Sequence, residues 1–426
     1  MAQLEAIYHV PKRAIISNGK VHWESRISAN PIIGLPQIFW DNGHPWPEAN
    51  HWAYDKVLSD GVKLATIQSL MAHLHKYACW LEKTTLDWRH FPTRKSERVL
   101  VLYRGALIEA RNAGDISPST ATARMRSVIQ FYRHCATYNF IHRETPKWAD
   151  RTVVISYFDS AGFERTLSRI TSDISIPNRS TSNFKLEDGL LPISSSHMTE
   201  LLQFTSKNAS EELHLMLTIG FFVGARISTI ASLRIENLEN ALPDCNIAKI
   251  WNIAIGPGTG VDTKFDVSGH LLIPDFLLEE LKRYAYSSRR LKREQRANNG
   301  NKSLLFLTRF GNSYSTPSGL SGSAIAREMT DLRRKSLAAE LVFMKKFHFH
   351  QTRATYGTWL MTIALGKIGQ KSAIEFVRQA MLHKHEATTM RYITFLELTK
   401  AKIEMGNAFT DAFGGISTRL GNNDNG

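Results

Sequence analysis

The chain has 426 residues, 43% of them hydrophobic, which is enough for two or three domains with a sizeable core and is not the composition of a disordered chain. Its 53 lysines and arginines against 39 acidic residues give a formal charge of +14, which favours a polyanionic partner such as nucleic acid. The cysteines form no CxxC pair and no apolar run could span a bilayer, so we expect neither a thiolate zinc site nor a membrane anchor.

The first 142 residues divide into an arm and a helical segment. Residues 1–50 carry scattered Pro, Gly, Trp and Asn, which predicts an irregular arm of unknown role with one short strand at Ala14–Ile16. Residues 51–142 are predicted to be helical, because apolar residues recur at spacings of three and four: Ile67, Leu70, Leu74, Tyr77 and Leu81. Ser117-Pro118 is a good helix start.

Residues 143–190 are predicted to be a linker, because their second half is rich in Ser, Thr and Asn. A mixed domain follows over 191–412, and a flexible tail over 413–426. The predicted elements of this domain are a helix at Glu211–Gly224, strands at Ile247–Ile255 and Ser268–Ile273, a basic loop at Arg289–Lys302, and helices at Leu277–Tyr286, Ser323–Arg334, Thr352–Ile363, Ser372–Met381 and Phe395–Phe413. The basic stretches Arg289–Arg296 and Arg333–Lys335 are either phosphate contacts or a solvated face.

Three short motifs in this domain carry the chemistry. They are Gly224-Ala225-Arg226-Ile227-Ser228, then His350-Gln351-Thr352-Arg353, then Leu382-His383 with Tyr392 nine residues after the histidine. Two guanidiniums can form bidentate hydrogen bonds to the non-bridging oxygens of a phosphodiester and neutralise the charge that grows in its transition state. A lysine ammonium cannot form the same bidentate contact. The motifs therefore suit chemistry on a nucleic-acid backbone.

In order and spacing, these motifs resemble those of the tyrosine recombinase (phage integrase) family. The resemblance covers the catalytic domain well and the helical segment before it more weakly. It implies a mainly α fold with a small β-sheet, in which a helical core-binding domain at 51–142 and an α+β catalytic domain at 191–412 form a two-lobed clamp on DNA.

The family's site residues map onto this chain one by one. The resemblance makes Tyr392 the nucleophile of a covalent 3′-phosphotyrosine, Arg226 and Arg353 the phosphate-binding pair, and His383 a hydrogen-bond donor to a phosphate oxygen. His350 is expected either to transfer the proton of the attacking tyrosine or to stabilise the transition state. Lys264, between the two predicted strands, is the candidate general acid for the 5′-oxygen. Two positions depart from the family pattern: Thr229 replaces an acidic residue, and Met381-Leu382 precedes His383 where the family has Leu-Gly.

The resemblance also implies double-stranded DNA as partner, a homotetramer on two DNA sites, accessory DNA-bending proteins, a role in a mobile element, and a bacterial protein of the cytoplasm and nucleoid. It implies no cofactor, so we expect activity in EDTA. Two other functions remain open: a type IB topoisomerase with the same phosphotyrosine chemistry, and a DNA-binding relative without activity. The pairs His348/His350 and His383/His385 suggest a zinc site, but neither pair has a third ligand at metal-site spacing.

Overall fold

The computed structural model describes residues 1–25, 30–158, 164–178, 186, 189–314 and 324–420. The chain forms two compact units, the first from Met1–Ser180 and the second from Thr181–Ser315 and Gly322–Gly426. Within the described residues, no helix is both long enough and apolar enough to cross a membrane.

Four helices build the core of the first unit: α1 (Pro47–Leu58), α2 (Leu64–Thr84), α3 (Val99–Asn112) and α4 (Pro118–Thr137). The predicted apolar face of α2 is confirmed at four of its five residues, since Ile67, Leu74, Tyr77 and Leu81 are buried, while Leu70 is partly buried and packs against the same core. Ser117 caps α4 as predicted, because its hydroxyl accepts a hydrogen bond from the Thr120 amide at 3.2 Å. The helical character predicted for residues 51–142 is therefore confirmed.

The prediction of an irregular arm over residues 1–50 was wrong. The segment forms four strands, of which β1 (Gln3–His9) pairs antiparallel with β4 (Ile32–Phe39), and β2 (Lys12–Ser17) pairs with β3 (Lys20–Ser25). The short strand expected at Ala14–Ile16 lies within β2. Strand β4 contributes Ile32, Leu35 and Ile38 to the helical core, so tertiary burial stabilises a segment whose local pattern is weak.

The region predicted to be a linker also contains regular structure. Strands β5 (Asp150–Phe158) and β6 (Glu164–Ser172) form an antiparallel hairpin, with Asp150 opposite Ser172. The hairpin's described side chains are largely exposed, including Val154 and Ile170, so the sequence carries no buried apolar face that would predict it.

The second unit surrounds a small antiparallel sheet with helices. The sheet has the order β7 (Leu242–Pro243), β8 (Ile250–Ile255) and β9 (Gly269–Pro274), which confirms the two predicted strands. The helices are α5 (Ser195–Asn208), α6 (Glu211–Val223), α7 (Ile227–Ser232), α8 (Ile235–Glu239), α9 (Asp275–Ala285), α10 (Ser288–Glu294), α11 (Ala324–Ala338), α12 (Gln351–Lys367), α13 (Gln370–Ala380) and α14 (Glu386–Leu420). The expected mainly α fold with a small β-sheet is confirmed.

Two predicted boundaries in this unit were wrong. The basic loop expected at Arg289–Lys302 begins with helix α10, which Ser287 caps by accepting a hydrogen bond from the Arg290 amide. The tail expected from residue 413 continues α14 as far as Leu420, and residues 421–426 lie outside the described chain.

Part of the basic stretch Arg289–Arg296 is used inside the second unit. Glu212 is fully buried, and its carboxylate accepts hydrogen bonds from Arg289 Nε at 2.8 Å and from Tyr284 Oη at 2.9 Å, while Arg293 Nη2 lies 3.0 Å away. Arg290 is fully buried and donates to the Leu304 carbonyl at 2.8 Å. Both alternatives given for this stretch, a phosphate contact and a solvated face, were therefore wrong for Arg290, because its buried guanidinium bonds to the backbone of its own unit.

Candidate active site

Arg226 follows a sharp turn at the end of helix α6. Gly224 ends this helix with a positive φ of 67°, and a Cβ at this position would collide with the ring of Tyr356. The chain then turns through Ala225, and Arg226 occupies the N-cap position of α7. The Gly-Ala-Arg motif thus sets the half-buried Arg226 between two helices.

Arg353 ties together three segments that are distant in sequence. It lies on α12, is 4% exposed, and donates from Nη1 to the Gly224 carbonyl and from Nη2 to the Met381 carbonyl, both at 2.6 Å. These bonds join α12 to the turn that carries Arg226 and to the turn that precedes His383. Neither carbonyl carries a formal negative charge, so these contacts orient the guanidinium through dipoles.

Lys264 lies between β8 and β9, as predicted, in a short 3-10 segment, Lys264–Asp266, and is exposed. The loop before it is held from α7. Thr229 Oγ1 donates to the Asp262 carbonyl, and Ser232 Oγ accepts from the Asp262 amide, each at 2.8 Å. Thr229, where the family pattern has an acidic residue, therefore fixes the backbone two residues before Lys264.

One narrow pocket brings three of the predicted site residues together. Arg226, Lys264 and Arg353 all line it, and so do Thr229 and the turn residue Leu382. The three cationic residues come from α7, the β8–β9 connection and α12, which are separated by 38 to 127 positions of sequence. Three residues that carry positive charge thus line one pocket, and such a lining attracts anionic groups.

His383 lies next to this pocket. It is buried, its Nδ1 is 2.8 Å from Thr389 Oγ1, and it lines a second groove along the sheet. The two cavities share Val267, Ala380 and Leu382 as walls. His383 is thus near the cationic pocket and is separated from it by the Leu382 turn.

Tyr392 is packed in the interior of the second unit. Its side chain is fully buried, and its ring lies 6.0 Å from the His383 ring with an angle of 21° between the planes. Gly357 of α12 allows this approach, because a Cβ there would lie 2.6 Å from Tyr392 Cε1. The cationic pocket, among the described residues, is lined by neither Tyr392 nor His350.

His350 immediately precedes α12, one turn before Arg353, and is half-buried. Its carbonyl accepts a hydrogen bond from the Ala354 amide at 3.3 Å, which places it at the helix start. As for the metal-site alternative, no group of three His, Cys, Asp or Glu side chains in the described parts of the chain could hold a metal ion.

Sequence reasoning missed two features around the pocket. Thr229 and Ser232 were not predicted to hold the Lys264 loop, although their positions three and six residues after Arg226 put all three on one short helix. Phe265 was also missed: it is exposed, and the Lys264 and Lys384 ammoniums lie 5.5 and 5.7 Å from its ring centroid.

Comparison with known proteins identifies the fold. No family model matches this chain, and no curated protein matches its sequence. Among solved structures, a Tn1549 transposon integrase fragment in complex with transposon right-end DNA has a TM-score of 0.50 at 14% identity, covering 84% of this chain and 98% of that one.

Two further structures are similar. The same integrase with circular-intermediate DNA has a TM-score of 0.49 at 15% identity, covering 81% of this chain and 94% of that one. A lambda integrase dimer bound to a COC′ core site has a TM-score of 0.46 at 12% identity, covering 80% and 92%. At such identities the likeness concerns the fold, and this chain has the fold of the tyrosine-recombinase integrases.

Proposed function

We propose that this protein is a DNA-breaking and -rejoining enzyme, a site-specific recombinase of the integrase type that acts through a covalent 3′-phosphotyrosine at Tyr392. The observation that carries the proposal is the convergence of Arg226, Lys264 and Arg353 on one pocket within an integrase fold. Double-stranded DNA is the proposed substrate, and two such sites held by four protomers are the proposed assembly.

In the proposed reaction, Arg226 and Arg353 bind the non-bridging oxygens of the scissile phosphate and stabilise the charge that develops on them. The Tyr392 oxygen attacks phosphorus and its proton passes to His350, while the bond from phosphorus to the 5′-oxygen breaks and Lys264 protonates the leaving oxygen. His383 donates a hydrogen bond to a phosphate oxygen. A 5′-hydroxyl then attacks the phosphotyrosine in the reverse sense, which conserves the energy of the phosphodiester bond, so religation needs no ATP.

The buried position of Tyr392 adds a step to this proposal. For the phenol to reach the phosphate, the start of α14 must leave its packing against α12. The contact between His383 Nδ1 and Thr389 Oγ1 would be rearranged in that movement, because it joins the pocket-side turn to α14. We therefore propose that DNA binding accompanies the release of Tyr392.

The test has two stages. A Tyr392→Phe protein first selects its binding site from a random duplex library. A nicked duplex that carries this site is then incubated with the wild-type chain in EDTA, and the SDS-resistant adduct is mapped by mass spectrometry. We expect the adduct on Tyr392, its loss in Tyr392→Phe, and its retention in Tyr286→Phe, which removes an exposed phenol of the same unit.

Other outcomes identify the alternatives. Relaxation of any supercoiled plasmid without a specific site would indicate a topoisomerase. Specific DNA binding with no adduct, and no change on Tyr392→Phe, would indicate a binding protein without activity. An adduct on a different residue would refute the assignment of the nucleophile.

A further inference from the structure

Phe265 is an exposed aromatic side chain at the edge of the cationic pocket. It is 62% exposed and directly follows Lys264, which lines the pocket. The ammonium of Lys384, the residue after His383, lies 5.7 Å from the ring centroid, and that of Lys264 lies 5.5 Å away. Two cations thus flank one accessible ring, although the ring has no place in the proposed reaction.

The backbone that presents this ring is both strained and held in place. Phe265 has a φ of 64° and Asp266 a φ of 53°, both in the left-handed region that non-glycine residues rarely adopt. Upstream, both backbone polar groups of Asp262 are bonded to α7. Downstream, Leu382 packs against Gly269. A turn fixed on both sides aims the ring outward, where ordinary packing would bury it.

We propose that the Phe265 ring contacts the nucleobase beside the phosphate that Arg226 and Arg353 bind, and that Lys384 contacts a neighbouring phosphate. This inference rests on the proposed function. The chemistry fits a nucleic acid, because every base has a π-face for stacking and the flanking lysines attract the backbone. A protein partner is disfavoured, because the groups around the ring are cationic and the whole chain carries +14.

A base contact at this place has a chemical use. Phe265 is adjacent in sequence to the proposed general acid, so a base held on its ring fixes the 5′-oxygen relative to the Lys264 ammonium. An apolar ring can also unstack a base step and bend the duplex there, as inserted side chains do in the minor groove. The ring would thereby set the register of the cleaved phosphate.

The test is a double-mutant cycle on DNA affinity, in which the side chain and the nucleobase are removed separately and together. In the Tyr392→Phe background, the dissociation constant for the selected duplex is measured with and without Phe265→Ala, on normal DNA and on duplexes with one abasic nucleotide near the cleaved phosphate. We expect Phe265→Ala to weaken binding about 5- to 100-fold on normal DNA and to add little on one particular abasic duplex. Lys384→Ala should reduce the slope of log K against log salt by about 1.

Matched variants separate this contact from folding and from general charge. Phe265→Gly also removes the ring but accepts the left-handed backbone, so it should weaken binding as Phe265→Ala does without loss of thermal stability. Phe310→Ala is the control, because Phe310 is also 62% exposed and has the Arg309 guanidinium 4.6 Å from its ring centroid. It should show no coupling to any of the abasic positions.

The inference would be overturned if each abasic position reduced the affinity by the same factor in the protein with Phe265 and in the Phe265→Ala variant. If an adduct still forms on Tyr392, that result leaves the proposed function intact. Coupling at Phe310 in place of Phe265 would instead indicate a different DNA-binding surface. If the chain binds no specific duplex and forms no adduct, the proposed function is refuted, and the inference about Phe265 is refuted with it.

Discussion

One arginine and a pair of arginines in the second unit are held by different kinds of partner. Arg353 is bound by the backbone carbonyls of Gly224 and Met381, which are dipoles. Arg289 and Arg293 converge on the buried carboxylate of Glu212, which carries a full negative charge. The first arrangement orients a guanidinium beside a pocket. In the second, a buried carboxylate neutralises the positive charges of two guanidiniums.

The comparison explains why a count of basic residues is a poor guide to the proposed DNA contacts. The stretch Arg289–Arg296 is among the most basic parts of the chain, yet all four of its arginines bond within their own unit. Arg226 and Arg353 stand in less basic surroundings and line the pocket. The location of a guanidinium, more than the local charge density of the sequence, therefore decides whether it lines the pocket.

The largest effect should come from the arginine that is held by carbonyls. We expect Arg353→Ala to reduce the rate of adduct formation about 10³-fold, because one of two charge-stabilising groups is lost from the transition state. Arg353→Lys should recover little, since an ammonium cannot form the same fork. Arg293→Lys, in the other cluster, should leave the rate within about 3-fold of wild type in the same single-turnover assay, a spread small against that loss.

An equal loss of rate in Arg293→Lys and Arg353→Lys would contradict the distinction between the two clusters. Circular dichroism of each variant is needed beside the rates, because Arg353 also joins three segments of the fold.

The next largest effect should be on stability. Glu212→Gln removes the negative charge that compensates Arg289 and Arg293, so we expect the free energy of unfolding to fall by about 3 kcal/mol in urea at neutral pH. Glu211→Gln is the matched control: its carboxylate is 3.6 Å from Arg289 and half-exposed, and its loss should cost less than about 1 kcal/mol. A loss below about 1 kcal/mol in Glu212→Gln would mean that the pairing of Glu212 with Arg289 and Arg293 contributes little to the free energy of unfolding.

The same cluster should make stability depend on pH. Burial would raise the pKa of Glu212, but the hydrogen bond from Arg289 and the charge of Arg293 outweigh it and hold the pKa below its ordinary value of 4.5. Since the unfolded chain takes up this proton first, the contribution is complete above pH 4.5 and is lost as the pH falls through the folded-state pKa. Urea unfolding of wild type and Glu212→Gln across acid pH should therefore converge, and parallel curves would contradict the assignment.

The smallest effect should come from the hydroxyl that holds the Lys264 loop. Thr229→Val keeps the side-chain shape but removes the bond to the Asp262 carbonyl, and we expect about a 10-fold slower cleavage, while Thr229→Ser should retain the wild-type rate. If Thr229 acts by positioning Lys264, a substrate with sulfur in place of the 5′-oxygen should restore the rate, because a thiolate leaves without protonation. A defect that persists with sulfur would mean that Thr229 acts elsewhere.

Elements with strong local signals could be predicted from the sequence. The periodic face of α2, the Ser117 cap, the apolar helix α6 and the two strands around Lys264 were all predictable, because each follows from residues within one or two helical turns or one strand. The exposed hairpins and the strands of residues 1–50 were not, since their side chains either face solvent or are buried by helices far along the chain.

The candidate site divides in the same way. The motifs contained Arg226 and Arg353, and the family resemblance added Lys264. Their meeting in one pocket depends on hydrogen bonds that span more than a hundred residues, as from Arg353 to Gly224. The burial of Tyr392 against Gly357, the hold of Thr229 on Asp262 and the capture of two arginines by Glu212 were likewise decided by tertiary structure. A side chain's identity is local, whereas its partners are set by whichever distant segment packs against it.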